Sequence, residues 1–209
     1  MQKKKTMVAC LLALAALLGF GAVYAYLTYQ KSLMNRFTVG VNEITVTEDY
    51  NPPDEIIPGK ETEFKKAVNA RNTGNTPCYI RARLEYSDSD MMQYCENILN
   101  DHSAPAGDWG DFIEEYSEGN WVYGTDGYYY YTKKVEPGES TSYLMETVRV
   151  NAPIDAPEEL NDFEIYVYME SIQTLVNRED GNGGQTAEEA SGYEEAWEQF
   201  LTQEGRKQT

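Results

Sequence analysis

The chain has 209 residues with 17 basic and 35 acidic side chains, a formal net charge of −18, and a single histidine. Because so acidic a protein is repelled by polyanions, the composition excludes nucleic acid and anionic lipid surfaces as partners. One histidine also rules out a zinc site built on several histidines and leaves His102 as the sole base for a triad or dyad.

The first 25 residues have the layout of a secretory signal peptide. Three lysines precede an apolar run of 17 residues, and two residues later the leader ends at Ala25. A basic region, a hydrophobic region and a small residue before the cut are the parts of such a leader. We expect cleavage between Ala25 and Tyr26. Since the leader holds three lysines and no acid, the mature chain has a net charge of −21.

An uncleaved membrane anchor is the alternative, because 17 apolar residues lie at the lower limit for crossing a bilayer. With cleavage, the protein contacts the membrane only through the leader before its removal. We then expect the mature product to be secreted and extracellular, either free or associated with the cell surface.

Beyond the leader, apolar residues alternate with polar ones, and many are β-branched or aromatic, which predicts strands. A change of parity near Asn42 indicates a bulge or a strand that passes between sheets. The predicted strands cover 37–41, 44–46, 64–71, 80–86, 121–123, 128–134, 144–150 and 163–169. About eight antiparallel strands within residues 26–176 predict an all-β domain, a two-sheet sandwich of jelly-roll type.

Residues 88–118 interrupt this pattern and predict a short helical insertion. Apolar residues from Met91 to Leu99 fall at helical spacing, with Ser87 or Asp88 as the N-cap, and 112–116 forms a further helical turn.

The end of the domain is followed by two different segments. Residues 177–192 are rich in Gly, Asn, Glu and Ala and predict a flexible acidic linker. Residues 193–209 predict an amphipathic C-terminal helix and tail, which we expect to dock on the sandwich, with docking on a partner as the alternative.

Two cysteines remain in the mature chain, Cys78 and Cys95. An extracellular protein can hold a disulfide, and a loop of this length would stabilise the fold by about 3 kcal/mol. Cys78 opens a predicted strand and Cys95 lies in the predicted helix, so a disulfide and two buried free thiols both stay open.

Several short motifs occur in an order that resembles the TasA/camelysin family of Gram-positive exported proteins. They are Ala25-Tyr26-Leu27-Thr28, Asn35-Arg36-Phe37-Thr38-Val39-Gly40, Arg71-Asn72-Thr73-Gly74, Tyr79-Ile80-Arg81-Ala82-Arg83, Asp126-Gly127-Tyr128-Tyr129-Tyr130-Tyr131 and Glu136-Pro137-Gly138-Glu139-Ser140. The resemblance implies a signal peptidase of the SipW type as the export partner and a jelly-roll fold. It also implies a fibre subunit or accessory of a biofilm matrix, which associates with copies of itself or related subunits.

Strand addition is the physical route to such fibres, because an open sheet edge gains backbone partners and alternate side chains fill pockets. The candidate donor is Tyr26–Val46, whose inserting side chains are Phe37, Val39, Val41, Ile44 and Val46. The alternative is that this segment forms the first strand of its own domain.

A second functional hypothesis is a secreted binding module for a polysaccharide or host protein. Its candidate contact residues are Trp109, Trp121 and the tyrosines at 128–131. We predict no enzyme, no cofactor and no bound metal, because no nucleophile, base or ligand set stands out among the motifs.

Overall fold

The structure, a computed structural model, describes residues 41–155, 163–179 and 184–207, with side chains up to residue 203. The leader, its cleavage site at Ala25 and Tyr26, and the donor candidates Phe37 and Val39 lie outside the described residues. The predictions made for these positions remain predictions.

The described residues form eleven strands and three α-helices. The strands are β1 (Ile44–Asn51), β2 (Glu61–Asn72), β3 (Cys78–Tyr86), β4 (Cys95–Leu99), β5 (His102–Pro105), β6 (Trp121–Tyr123), β7 (Tyr129–Tyr131), β8 (Met145–Asn151), β9 (Ile165–Gln173), β10 (Leu175–Glu179) and β11 (Gln185–Glu189). The α-helices are α1 (Ser89–Met92), α2 (Trp109–Tyr116) and α3 (Tyr193–Lys207), and a 3₁₀ turn at Ala106–Asp108 precedes α2. None of the described helices is long and apolar enough to cross a membrane.

Two antiparallel sheets form the predicted sandwich. Sheet A has the order β1-β2-β8-β4-β5, and sheet B has the order β6-β7-β3-β9. The prediction of an all-β, two-sheet sandwich of jelly-roll type with a short helical insertion and a C-terminal helix is confirmed.

The core between the sheets comes from the inward face of each strand. In β2, Phe64, Val68 and Ala70 share one parity and are buried, as alternation with period two requires. The largest fully buried side chains are Trp109, Trp121, Ile80, Ile113, Leu144 and Met145. The helical insertion therefore contributes Trp109 and Ile113 to the same core as the strands.

The predicted helix around residues 88–99 is wrong over most of its length. Asp88 does cap a helix, because its carboxylate accepts bonds from the backbone N–H groups of Asp90 and Met91, but α1 ends after one turn. Residues 95–99 form β4, paired with β8 in sheet A. Cys95, Asn97 and Leu99 are its buried side. A short apolar run is compatible with the period of a helix and with that of a strand, and pairing with β8 makes this one a strand.

The segment predicted as a flexible linker, 177–192, contains two paired strands among its described residues. Strands β10 and β11 pair from Leu175 with Glu189 to Glu179 with Gln185. Val176 and Ala190 are buried with Trp197 of α3 in a second, smaller core. The segment orders because α3 supplies the apolar surface that the hairpin's own composition lacks.

Helix α3 packs against the outer face of sheet B. Tyr79 and Arg81 of β3 point away from the main core, yet both are buried. The first half of β3 is therefore buried on both faces, because the C-terminal helix covers the outer one.

Candidate interaction surface

Each of the two sheets has two edge strands, and β1 of sheet A lies next to β9 of sheet B. Among the described residues, β1 is paired with β2, and β9 is paired with β3. The outer side of an edge strand is the usual template for adding a further strand.

Strand β1 is exposed along nearly its whole length. Only Ile44 at its start is partly buried, and every residue from Thr45 to Asn51 is exposed. The exposed fraction is 40% for Val46 and 51% for Tyr50, which leaves apolar surface uncovered on this strand. The facing sheet does not cover this part of sheet A.

The two edges converge at one end, where Asn42 precedes β1. The Asn42 side-chain amide donates to the carbonyl of Ser171 in β9 at 2.8 Å, and the Ser171 hydroxyl donates back to Asn42 Oδ1 at 3.1 Å. Asn42 thus connects the start of sheet A to β9 of sheet B through its side chain.

At the other end the edges diverge and leave a groove of about 660 Å³. Its apolar wall is formed by Ile56, Phe64, Phe163 and Ile165. Its polar lining includes the carboxylates of Glu48, Asp54, Glu55 and Glu164 and the amine of Lys66.

Lys66 points into this groove from the inward face of β2 and is only 6% exposed. Its ammonium forms an ion pair with Glu48 and lies 5.0 Å from the ring centre of Tyr50. Asp54, Glu55 and Glu164 form no ion pair with any described residue, although Glu164 accepts a hydrogen bond from Tyr166. That bond raises the pKa of Tyr166. The groove therefore carries three carboxylates without an ion-pair partner in the part of the chain that the structure describes.

The chain enters β1 across a turn at Gly74. The backbone N–H groups of Thr73 and Gly74 donate to the carbonyl of Glu43, and Asn75 N–H donates to the carbonyl of Val41 at 3.0 Å. A Cβ on Gly74 would lie 2.2 Å from the Val41 carbonyl oxygen, so only glycine permits this approach.

Asn72 holds this turn from below and is fully buried. Its amide donates to the carbonyls of Thr76 and Val135 at 2.8 and 2.9 Å, and its side-chain oxygen accepts from Gly74 N–H. The Asn-Thr-Gly motif thus has a structural role, because it fixes the point at which the N-terminal segment joins the domain.

Three of the five predicted donor residues lie in the described part. Val41 is 51% exposed and is held at the turn by Asn75, whose Oδ1 accepts from its N–H at 2.7 Å. Ile44 and Val46 pair with Asn72 and Ala70 in the protein's own sheet A. The segment that remains for donation to another copy is therefore the part before Val41.

Cys78 and Cys95 are free thiols, with exposed fractions of 0% and 1%. Cys78 opens β3 of sheet B and Cys95 opens β4 of sheet A, not the helix predicted for it. Burial raises the pKa of Cys78 to about 11 and that of Cys95 to about 12. Two such groups act as small apolar core residues.

The aromatic residues proposed for polysaccharide stacking are mostly in the core. Trp109 and Trp121 are fully buried, and Tyr129 and Tyr131 are buried as well. They cannot stack on a sugar ring, so the binding-module hypothesis loses most of its candidate residues. Tyr166 and Tyr168 are exposed on the outer face of β9, with ring centres 6.3 Å apart.

His102 stacks on Tyr116, with ring centres 5.1 Å apart, and is exposed. In the described ranges, no group of three or more His, Cys, Asp or Glu side chains is placed to hold a metal ion. The groove offers an extended chain three kinds of contact: the backbone groups of its edge strands, its apolar side chains and its charged side chains.

Sequence reasoning missed the groove and Lys66. A signal was present, since Lys66 stands at an inward position between Phe64 and Val68 in an alternating strand. An inward charge on a strand next to a sheet edge is one of the devices that limit unwanted strand pairing.

No known protein-family model matches this chain, and no curated protein is similar to it.

Proposed function

We propose that the mature chain is a secreted, non-catalytic structural protein, a fibre subunit or accessory of a biofilm matrix. It associates with other copies, or with related matrix subunits, by strand addition. One observation supports this proposal: the edge strands β1 and β9 lie side by side and line a groove with an apolar wall.

The physical reason is the condition of these edges. Backbone groups on β1 and β9 gain hydrogen-bond partners when an extended segment enters, and apolar side chains on alternate positions of that segment cover the half-buried Phe163 and Ile165. A typical net hydrogen bond contributes about 1 kcal/mol, so a segment that makes several bonds and buries apolar area offsets its ordering cost.

The setting follows from the sequence. The leader with its expected cut between Ala25 and Tyr26, and the resemblance to the TasA/camelysin family, support export by a signal peptidase of the SipW type from a Gram-positive cell. Cleavage frees the segment before Val41 from the membrane, which makes it available to a neighbour.

The test compares the mature chain, residues 26–209, with a chain that begins at Val41 and keeps all of β1. We expect fibres from the mature chain by negative-stain microscopy and sedimentation, and a monomer from the shortened chain. Equal assembly of the two proteins would overturn the proposal.

Point variants provide a matched control within the segment. Phe37 and Val39 share one face of an extended chain, and Thr38 lies on the other. Phe37→Asp and Val39→Asp should abolish assembly, whereas Thr38→Asp adds the same charge on the opposite face and should preserve it.

A further inference from the structure

The outer face of sheet B is covered over only part of its area. Helix α3 packs on the part that contains Tyr79 and Arg81, and both side chains are buried there. Two residues further along β3, Arg83 is exposed, and so are Tyr166 and Tyr168 on the neighbouring strand β9. The uncovered part of this face therefore presents large aromatic side chains to solvent.

Tyr166 and Tyr168 form an aromatic strip along β9. Residues two apart in a strand lie on the same face of its sheet, and the planes of these two rings are inclined by only 29°. Their exposed fractions are 42% and 53%. Two half-exposed rings of similar orientation offer successive stacking surfaces to a ligand that runs along the strand.

Hydrogen-bonding groups lie beside both rings of the aromatic strip. Across the sheet, Arg83 of β3 is opposite Tyr168 and Glu85 is opposite Tyr166, and directly opposite residues share a face. The Arg83 Nε atom lies 2.9 Å from Glu85 Oε1, and the Tyr166 hydroxyl donates to the carboxylate of Glu164. The strip is thus bordered by one guanidinium and two carboxylates.

These neighbours decide which class of ligand the strip fits. A polyanion is repelled, because two carboxylates outweigh one guanidinium on a protein whose net charge is −18. A protein partner would have to bury the Arg83–Glu85 pair and Glu164, and the centres of protein interfaces are depleted of charged residues because desolvating them is costly.

A sugar chain meets both requirements. The C–H groups on one side of a pyranose ring stack on the negative face of an aromatic ring. The hydroxyl groups at the edge of the same sugar both donate and accept, so they replace water at a carboxylate and at a guanidinium alike. No charged group of the strip then loses its hydrogen bonds when the ligand binds.

We propose that the aromatic strip, with Arg83, Glu85 and Glu164 beside it, binds an uncharged β-1,4-linked polysaccharide chain. Linkages of this kind hold the sugar units in an extended ribbon, which follows the direction of β9. The site lies on the face of sheet B, whereas strand addition uses its edge. Tyr168 and Arg83 do not line the groove, so they test this inference apart from the proposed function.

The experiment measures the anisotropy of fluorescently labelled hexamers of β-1,4-linked glucose and N-acetylglucosamine, each titrated with the mature chain, residues 26–209. Tyr168→Ala removes one ring, and Tyr168→Phe keeps the ring without its hydroxyl. The matched control is Tyr143→Ala, since Tyr143 is 41% exposed and precedes β8 of sheet A. Thermal unfolding of each variant checks that it is folded.

We expect saturable binding of at least one hexamer. Tyr168→Ala should weaken it by about fivefold or more, and Tyr168→Phe and Tyr143→Ala by less than about twofold. Unlabelled hexamer should compete, and a heparin fragment should not. Absence of saturable binding to both hexamers, or binding that Tyr168→Ala leaves intact, would overturn the inference. Equal competition by heparin would overturn the choice of an uncharged chain.

Sedimentation of the same variants separates this inference from the fibre role. If Tyr168→Ala reduces assembly and no hexamer binds, the strip is a contact between copies and the polysaccharide is overturned. If a hexamer binds through Tyr168 while the mature chain stays monomeric, the polysaccharide site stands and the fibre role is overturned.

Discussion

The guanidinium carbon of Arg81 lies 4.4 Å from the ring centre of Trp197, and 3.8 Å from that of Tyr128 on its other side. The same guanidinium donates two bonds to Glu170, at 2.7 and 3.0 Å. One buried cation on β3 therefore connects the sandwich to the C-terminal helix.

Replacing Arg81 with methionine should release α3 from sheet B. The variant loses a desolvated cation–π contact and charged hydrogen bonds, so we expect the free energy of unfolding to fall by about 2–4 kcal/mol. Trp197 emission should shift to longer wavelength as its ring becomes solvated. Arg149→Met is the matched control, because the Arg149 ion pairs are more exposed and should contribute about 1 kcal/mol or less. Equal losses in the two variants would contradict the role given to Arg81.

Gly74→Ala should displace the start of β1. The new methyl group would approach the Val41 carbonyl oxygen to 2.2 Å, and we expect a loss of about 1–3 kcal/mol from overpacking. Hydrogen exchange should become faster in β1 while β3 keeps its protection. Gly192→Ala has no atom within 4 Å of its new methyl and should leave exchange unchanged. Unaltered protection of β1 in Gly74→Ala would show that the turn does not hold this strand.

The two thiols should be inert in the native protein. Because Cys78 and Cys95 are buried and have raised pKa values, we expect almost no reaction with a chromogenic disulfide reagent at neutral pH until denaturant is added. Denatured but unreduced protein should then take up two alkyl groups by mass spectrometry. No uptake without a reductant would reveal a Cys78–Cys95 disulfide and contradict the structure.

The same thiols should make the fold less stable in alkali. A thiol whose pKa is higher in the folded than in the unfolded chain stabilises the fold fully below the unfolded value, near 9.0, and loses that contribution as the pH rises through the folded value of about 11 or 12. Within this window each thiol lowers the free energy of unfolding by up to about 1.4 kcal/mol per pH unit. Urea unfolding of Cys95→Ala between pH 9 and pH 11 should show a shallower decline than the original protein. Identical slopes would mean that the buried thiol does not titrate on unfolding.

The sandwich could be predicted because most of its strands have an alternating pattern that is visible in the local sequence. Phe64, Val68 and Ala70 alternate with polar residues, and this pattern alone places them on one buried face. The C-terminal helix could be predicted equally well, since Trp197 and its apolar neighbours recur at helical spacing.

The remaining features depend on contacts between distant segments. Residues 95–99 carry a pattern compatible with either period, and only β8, some 50 residues later, makes them a strand. The composition of β10 and β11 predicts a linker, and their pairing depends on α3, which covers Val176. The groove needs two sheet edges to lie together, and the order of strands within a sheet is not written in any local pattern.

The side-chain amide of Gln199 occupies the free side of β10. Asn177 N–H donates to Gln199 Oε1 at 2.7 Å, and Gln199 Nε2 donates to the Asn177 carbonyl at 2.8 Å. This amide makes the same two hydrogen bonds as one peptide unit of an adjoining strand. The helix therefore blocks a strand edge that would otherwise be open to non-specific pairing. Loss of α3 through proteolysis would thus expose a further strand edge, and copies of the protein would form amorphous aggregates.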